Sequence, residues 1–171
     1  MNSNFNPLSP EELVSRINKI PRIRLAQLPT ALEYAPNISK ELNINLYIKR
    51  DDCTALAFGG NKTRHLEFIM AKTLSGEYDC ILTGAASQSN FCRQAVAAAN
   101  KLNLDSYLVL MHGVKGKLMQ GNFLLYNILG ANVDVVDGEN LENIPKHLDK
   151  KYDELIKEGR KPLLIYGGFG E

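Results

Sequence analysis

Two short stretches of this chain combine side chains that can do chemistry with the backbone freedom that chemistry needs. The first is Phe58-Gly59-Gly60-Asn61-Lys62-Thr63-Arg64-His65-Leu66-Glu67-Phe68, where two glycines and an asparagine deliver a lysine to the point at which loop becomes helix. Glycine in that place lets the backbone take φ > 0 and pass close to a ligand. The free N–H groups of a helix start favour an anion or an electron-rich group nearby. A lysine set there can lose hydration, have its pKa lowered and present a neutral, nucleophilic amine. The chemistry this points to is Schiff-base formation by Lys62.

Other readings of the same residues compete with it. A Walker A phosphate loop needs glycine directly before the lysine and another upstream. Asn61 occupies the first place, and Asp52 to Phe58 contains no glycine. Asn61-Lys62-Thr63 has the form of a glycosylation acceptor, but nothing in the sequence suggests secretion. An ordinary helix start with a solvated lysine fits the spacing as well as a reactive one does.

The second stretch is Thr83-Gly84-Ala85-Ala86-Ser87-Gln88-Ser89-Asn90, read as a loop joining a strand to a helix N-terminus. A helix cap explains Ser87 or Ser89 singly. It does not explain four consecutive polar side chains, Ser87 to Asn90. Those offer donors and acceptors to a ring hydroxyl or a carboxylate, at a helix end whose dipole favours an anion.

The elements that must position these loops follow from periodicity. Ser9-Pro10-Glu11-Glu12 is a capping box with proline at the first helical position; Leu13, Ile17 and Ile20 follow at helical spacing, and Pro21 ends the run. The segment from Leu32 to Leu42 has room for a short amphipathic helix, and Asn45 to Lys49 reads as a strand. From there strands and helices alternate. Lys62 to Thr73 is a helix with Leu66, Phe68, Ile69 and Met70 facing the core, and Asp79 to Thr83 is a buried strand. Ser89 to Leu102 is an alanine-rich helix and Ser106 to Met111 a strand. Lys117 to Leu129 is a helix stopped by Gly130, and Asn132 to Val136 is a strand. Leu141 to Glu158 is a charged, exposed helix and Lys161 to Tyr166 the last strand. Such alternation predicts an α/β fold, a mainly parallel open sheet with helices on both faces. Ligands in such sheets sit beyond the carboxyl ends of the strands, where strand order reverses, which is where the two loops fall.

Bulk properties exclude several classes. A net charge of +1 gives no field for nucleic acid or an anionic membrane. Cys53, Cys80 and Cys92 never form CxxC, and His65, His112 and His147 form no ligand motif, so no metal site is expected. The first ten residues lack the features of a signal peptide, and no apolar run is long enough to span a membrane. A reducing, cytoplasmic setting is the expectation.

GGNKTRHLEF together with QSNFCRQAVAAANKL resembles a family of pyridoxal-phosphate (PLP) enzymes, the D-cysteine desulfhydrases and 1-aminocyclopropane-1-carboxylate (ACC) deaminases. These have the tryptophan-synthase-β-like fold, PLP fold type II. RIRLAQLPTALEYAPNIS, LYIKRDD and LGANVDVVD extend the similarity over nearly all 171 residues. The resemblance implies that Lys62 carries the cofactor and moves the proton at the substrate α-carbon. It places Asn61 and Asn90 near the cofactor, with Asn90 on the ring hydroxyl. Ser89 contacts the substrate carboxylate or takes part in proton transfer, and Gln88 helps to hold that carboxylate. His65 stands where the family has a second basic residue for the cofactor phosphate, and Ala85-Ala86-Ser87 replaces the family's glycine pair.

The implied reaction is α,β-elimination from D-cysteine or a related β-substituted amino acid, giving pyruvate, ammonia and hydrogen sulfide, with ACC ring opening as the alternative. Family members are about twice as long. Residues 1–50 therefore read as a leading segment belonging to the larger domain, and 51–171 as the smaller cofactor domain. The absent C-terminal half would carry the phosphate cup, and the piece alone is expected to be weakly active or inactive. At full length a homodimer is implied. A split enzyme completed by a second polypeptide would show a large apolar patch on this chain; a non-catalytic binding remnant would hold ligand without turnover.

Overall fold

The computed structural model describes residues 7–112, 118–137 and 141–166. Four strands, β3 (Cys80–Ala86), β4 (Asp105–Met111), β5 (Asn132–Val136) and β6 (Pro162–Ile165), form an all-parallel sheet in the order β5-β4-β3-β6. Alternation along each strand sends neighbours to opposite faces. Ile81 packs with Leu66 and Met70 and with Phe91, Ala95, Ala98 and Ala99. Leu108 and Leu110 pack with Cys92, Val96, Phe123 and Tyr126. Those partners belong to α3 (Lys62–Ile69) and the residue after it, α4 (Asn90–Lys101) and α5 (Gly121–Ile128), which share one face. Leu82, Val109 and Met111 turn the other way, onto Ile144, Leu148 and Leu155 of α6 (Ile144–Lys157). The expected α/β architecture with helices on both faces is present.

The chain steps outward from β3 to β4 to β5, then crosses back so that β6 lies on the other side of β3. Strand order thus reverses beside β3, and its carboxyl end opens directly into Ser87 to Asn90. At the opposite end Arg160 ties the strand starts together, donating to Asp79 (3.1 Å), Asp105 (2.6 Å) and the Tyr107 hydroxyl (3.1 Å).

Several boundaries differ from expectation. β3 continues through Ala86, because Thr83 to Ala86 pair in register with Leu108 to Met111; the loop shrinks to Ser87–Ser89. Gly84 belongs to this strand, and a Cβ there would lie 2.4 Å from the Val109 carbonyl and 3.1 Å from Ile144. The helix expected from Lys117 begins at Gly121, since Gln120 is extended (φ −147°, ψ 168°); Lys117 lies outside the described residues. Gly130 ends it at φ +77°, as expected. α3 tightens into a 3₁₀ turn over Met70–Ser75. Within α3 Leu66 is buried and Phe68 and Ile69 only half-buried, while the polar Thr63 and Glu67 are buried beside it. α6 is charged but not wholly exposed, burying Ile144, Leu148 and Leu155 as one stripe.

The leading part is more open. α1 (Pro10–Ile17) has its capping box, Glu12 N–H to Ser9 Oγ at 3.2 Å and Ser9 N–H to Glu12 Oε2 at 3.1 Å, yet buries none of its residues. The segment expected to hold a short helix does so in α2 (Pro36–Leu42), with Pro36 supplying the helix start, and its first residues form β1 (Leu32–Tyr34). β1 pairs antiparallel with β2 (Tyr47–Lys49), and every residue of both strands is exposed.

Glu67 fastens this leading part to α3. Its buried carboxylate accepts the N–H groups of Leu25 (3.0 Å) and Ala26 (2.9 Å) and pairs with Arg22 (Nε at 2.6 Å). Burial pushes the Glu67 pKa up, but the Ala26 and Leu25 donors and the Arg22 guanidinium outweigh it and hold the carboxyl below its ordinary range. All three cysteines are free: Cys53 is exposed, whereas burial pushes the thiols of Cys80 and Cys92 up to about 12.

Candidate active site

The loop before Lys62 is held in costly backbone conformations. Ala55, Ala57 and Phe58 have φ of +70°, +45° and +67°, followed by Gly59 at +72° and Gly60 at +131°. Each non-glycine residue held there costs about 1–3 kcal/mol, so surrounding bonds must fix the loop. The described contacts supply them. The Thr54 hydroxyl accepts from the Gly60 N–H (2.9 Å) and donates to the Gly60 carbonyl (2.9 Å). Buried Gln94 on α4 donates to the Gly59 carbonyl (3.0 Å) and accepts from the Thr63 hydroxyl (2.6 Å). The two glycines admit these neighbours: a Cβ on Gly59 would lie 1.8 Å from the Asp52 carbonyl, and one on Gly60 2.3 Å from Gln94 Nε2. The positive φ values match the expectation; the close approach is to the protein itself.

Lys62 emerges from this loop as the first residue of α3, half-buried, with no hydrogen bond or ion pair among the described residues. Asn61 precedes it, exposed and without a side-chain capping bond. His65 follows at i+3 from Lys62, on the same side of the helix and exposed. Arg64 faces elsewhere, clasping Asp51 through Nε (2.8 Å) and a terminal nitrogen (2.6 Å).

At the second loop Ser87 is buried, its N–H bonded to the Met111 carbonyl (2.7 Å) and its hydroxyl to the His112 carbonyl (3.2 Å). Ser89 is the helix cap, its hydroxyl accepting from the Cys92 N–H at 3.2 Å. The Ser89 carbonyl accepts from the Tyr126 hydroxyl (2.8 Å), whose ionisation burial pushes far up. Gln88 reaches α5: its Oε1 accepts the Asn122 N–H (2.9 Å) and its Nε2 donates to the Gln120 carbonyl (3.1 Å). Asn90 is exposed and its Oδ1 accepts from Arg93 (3.1 Å) and Asn122 Nδ2 (3.0 Å).

Backbone atoms settle which way these amides point. Asn122 must direct its Nδ2 to the Gln88 carbonyl (2.8 Å), which can only accept. Its Oδ1 therefore faces the Arg93 guanidinium (2.9 Å). Asn90 meets two donors and must present Oδ1 to them, leaving Nδ2 as a donor without a partner among the described residues. Arg93, Gln94, Asn122 and Thr63 join the site without having been expected there from the sequence. The legible signal was Arg93-Gln94, a polar pair one turn after Ser89-Asn90 in an otherwise apolar, alanine-rich helix.

The two loops are thus joined through α4 into one polar surface beyond the end of β3. Residues 23–169 match the family model described as pyridoxal-phosphate dependent enzyme. Over 158 residues the chain is 39% identical to a putative 1-aminocyclopropane-1-carboxylate deaminase of Pyrococcus horikoshii, covering 92% of this chain and 47% of that one. It is 37% identical over 156 residues to a D-cysteine desulfhydrase of Klebsiella pneumoniae, covering 89% and 47%. The crystal structure of an ACC deaminase homologue superposes with a TM-score of 0.85 at 39% identity, over 94% of this chain and 48% of that one. The chain spans about half the length of the curated relatives it matches. Both the lysine loop and the Ser87–Asn90 loop lie within the matched residues, and the chain belongs to the family of pyridoxal-phosphate dependent enzymes.

Proposed function

We propose that this chain is the lysine-bearing half of a PLP-dependent lyase that eliminates a β-substituent from a small amino acid, D-cysteine or a close relative. The observation that carries the reading is the linkage, through Arg93 of α4, of a lysine at a helix start and an asparagine Nδ2, neither of which has a partner among the described residues. That donor set fits the cofactor. An ionised ring hydroxyl accepts hydrogen bonds, and Asn90 Nδ2 offers one; a carbonyl carbon needs an amine without a competing partner, and Lys62 provides it. When bound, PLP supplies an electron sink that weakens the bonds at the substrate α-carbon.

The rest falls to this chain's residues. Lys62 Nζ would hold the cofactor and, as a free amine, would take up the proton from the substrate α-carbon. Ser89, at the N-terminus of α4, contacts the substrate carboxylate, where the helix dipole favours negative charge. Gln88 acts on that carboxylate indirectly, because its amide is already bonded to α5 and fixes where the loop lies. Asn61 and His65 would help to hold the cofactor, His65 through its phosphate. For D-cysteine the balance is loss of the α-proton and the thiol, then hydrolysis with one water to pyruvate, ammonia and hydrogen sulfide. ACC, which has no β-leaving group, would instead need its ring opened; relatives of both names match at similar identity.

Residues 51–171 form the cofactor domain in this reading, and the leading 50 residues belong with the remainder of the enzyme. The exposed apolar residues Leu32, Tyr34, Ile38, Leu42, Tyr47 and Ile48 give that remainder a surface to pack on, whether in the same chain or a second one. Free thiols suit a cytoplasmic setting, and no helix among the described residues is long and apolar enough to cross a membrane.

Intact mass after incubation with PLP and borohydride reduction tests the reading. One adduct, lost in Lys62→Ala, is the expected result, followed by keto-acid release from D-cysteine in preference to ACC once the remaining half is supplied. No adduct, or one that persists in Lys62→Ala, overturns it.

A further inference from the structure

We propose that Arg93 is a positioning residue that locks the lysine loop and Asn90 into one register, so that the two candidate loops move as a unit. The inference rests on the reading of Lys62 and Asn90 given above, but its geometry stands without the cofactor. One guanidinium spans three segments: a terminal nitrogen donates to the Gly59 carbonyl at 2.9 Å, and the other donates to Asn90 Oδ1 at 3.1 Å and Asn122 Oδ1 at 2.9 Å. Gly59 lies three residues before Lys62 in the strained loop, and Asn122 sits in the first turn of α5. The planar fork of arginine suits such divergent acceptors, and a lysine ammonium could not reach all three.

Two further features show that the group is built in. The Gly59 carbonyl is shared between Arg93 and the buried Gln94 amide, so the loop is gripped from two successive residues of α4. Arg93 Nε is itself buried without a partner among the described residues, a cost accepted to hold the terminal nitrogens in place. Arg93 also determines chemistry at Asn90. It meets Asn90 as a donor, so the amide cannot rotate to present its nitrogen inward, and Nδ2 must face outward. Loss of Arg93 would leave the Asn90 amide held by Asn122 Nδ2 alone among the described residues and would loosen the backbone that sets Lys62.

Residue-resolved hydrogen exchange of the 171-residue chain tests the proposal without cofactor. In Arg93→Lys, exchange at the Gly60 and Asn122 amides should rise together by about tenfold, the worth of one charged hydrogen bond, with Leu148 and Leu155 in α6 unchanged. Asn122→Ala separates the two arms: Arg93 still donates to Asn90 Oδ1 and to the Gly59 carbonyl, so the Asn90 side-chain amide signals should stay those of a fixed group and Gly60 should keep its protection. A rise confined to one loop, a rise that extends to α6, or no rise in Arg93→Lys overturns the proposal. PLP-borohydride labelling adds a second readout, with adduct yield falling in Arg93→Lys. If the unmodified chain takes no label, the proposed function fails, while the exchange data still decide the role of Arg93.

Discussion

The two ends of this molecule solve the same problem differently. Around the start of α4, strained backbone and polar side chains are closed off by the protein's own bonds: Thr54, Gln94, Arg93 and Asn122 satisfy the loops that carry Lys62 and Asn90. In the β1–β2 hairpin the strands are three residues each and exposed throughout, with Tyr34 and Tyr47 rings 5.3 Å apart as their main cross-strand contact. A hairpin of that size is marginal by itself in water. The difference teaches that the candidate chemistry sits in the self-sufficient region, whereas the hairpin depends on neighbours. Glu67 and the Arg64–Asp51 pair are what hold the second region to the first.

Mutations can break or sharpen that contrast. The largest effect is expected from Gly59→Ala, which forces a Cβ against the Asp52 carbonyl at positive φ; about 3 kcal/mol of stability should be lost in urea unfolding. A neutral result would mean that the lysine loop is not held as tightly as described. Gln94→Leu keeps the volume but removes the acceptor of the Thr63 hydroxyl and one of the two donors to the Gly59 carbonyl, for a cost of about 2 kcal/mol in the same measurement.

Next comes the junction. The Glu67 carboxyl is depressed in the folded state, so its contribution is complete above the ordinary value of 4.5 and is lost as pH falls through the lower native value. Protection of the Leu25 and Ala26 amides, relative to their intrinsic exchange rates, should therefore fall on acidification, and Glu67→Gln should abolish that dependence at a cost of about 1–2 kcal/mol. An unchanged acid profile in the variant would show that other carboxylates govern the junction. The smallest effect belongs to the hairpin: Leu32→Ser should shift stability by under about 0.5 kcal/mol, because its side chain is already in water. A large loss there would show that the hairpin is not the dependent region after all.

The elements that follow from periodicity were legible: Asn132 to Val136 falls where alternation put it, and the capping box at Ser9 and Glu12 closes as written. The length of β3 was not, because small residues such as Gly84 to Ala86 look like loop until their pairing with Val109 to Met111 is known. Lys62 and the polar run to Asn90 stood out by residue type. Arg93, Gln94 and Asn122 did not, since their meaning comes from partners 29 to 35 residues away in sequence. Glu67 carries no signal of its own in the sequence, and only its contacts with Arg22, Leu25 and Ala26 explain its burial.

The unequal burial of the three cysteines has a practical consequence. Cys80 and Cys92 are enclosed and remain protonated well above neutral pH, which leaves Cys53 as the addressable thiol of the native chain. It sits next to Thr54, the residue whose hydroxyl grips Gly60. A single maleimide dye would therefore attach beside the lysine loop without mutagenesis, and its emission would report the state of that loop in real time.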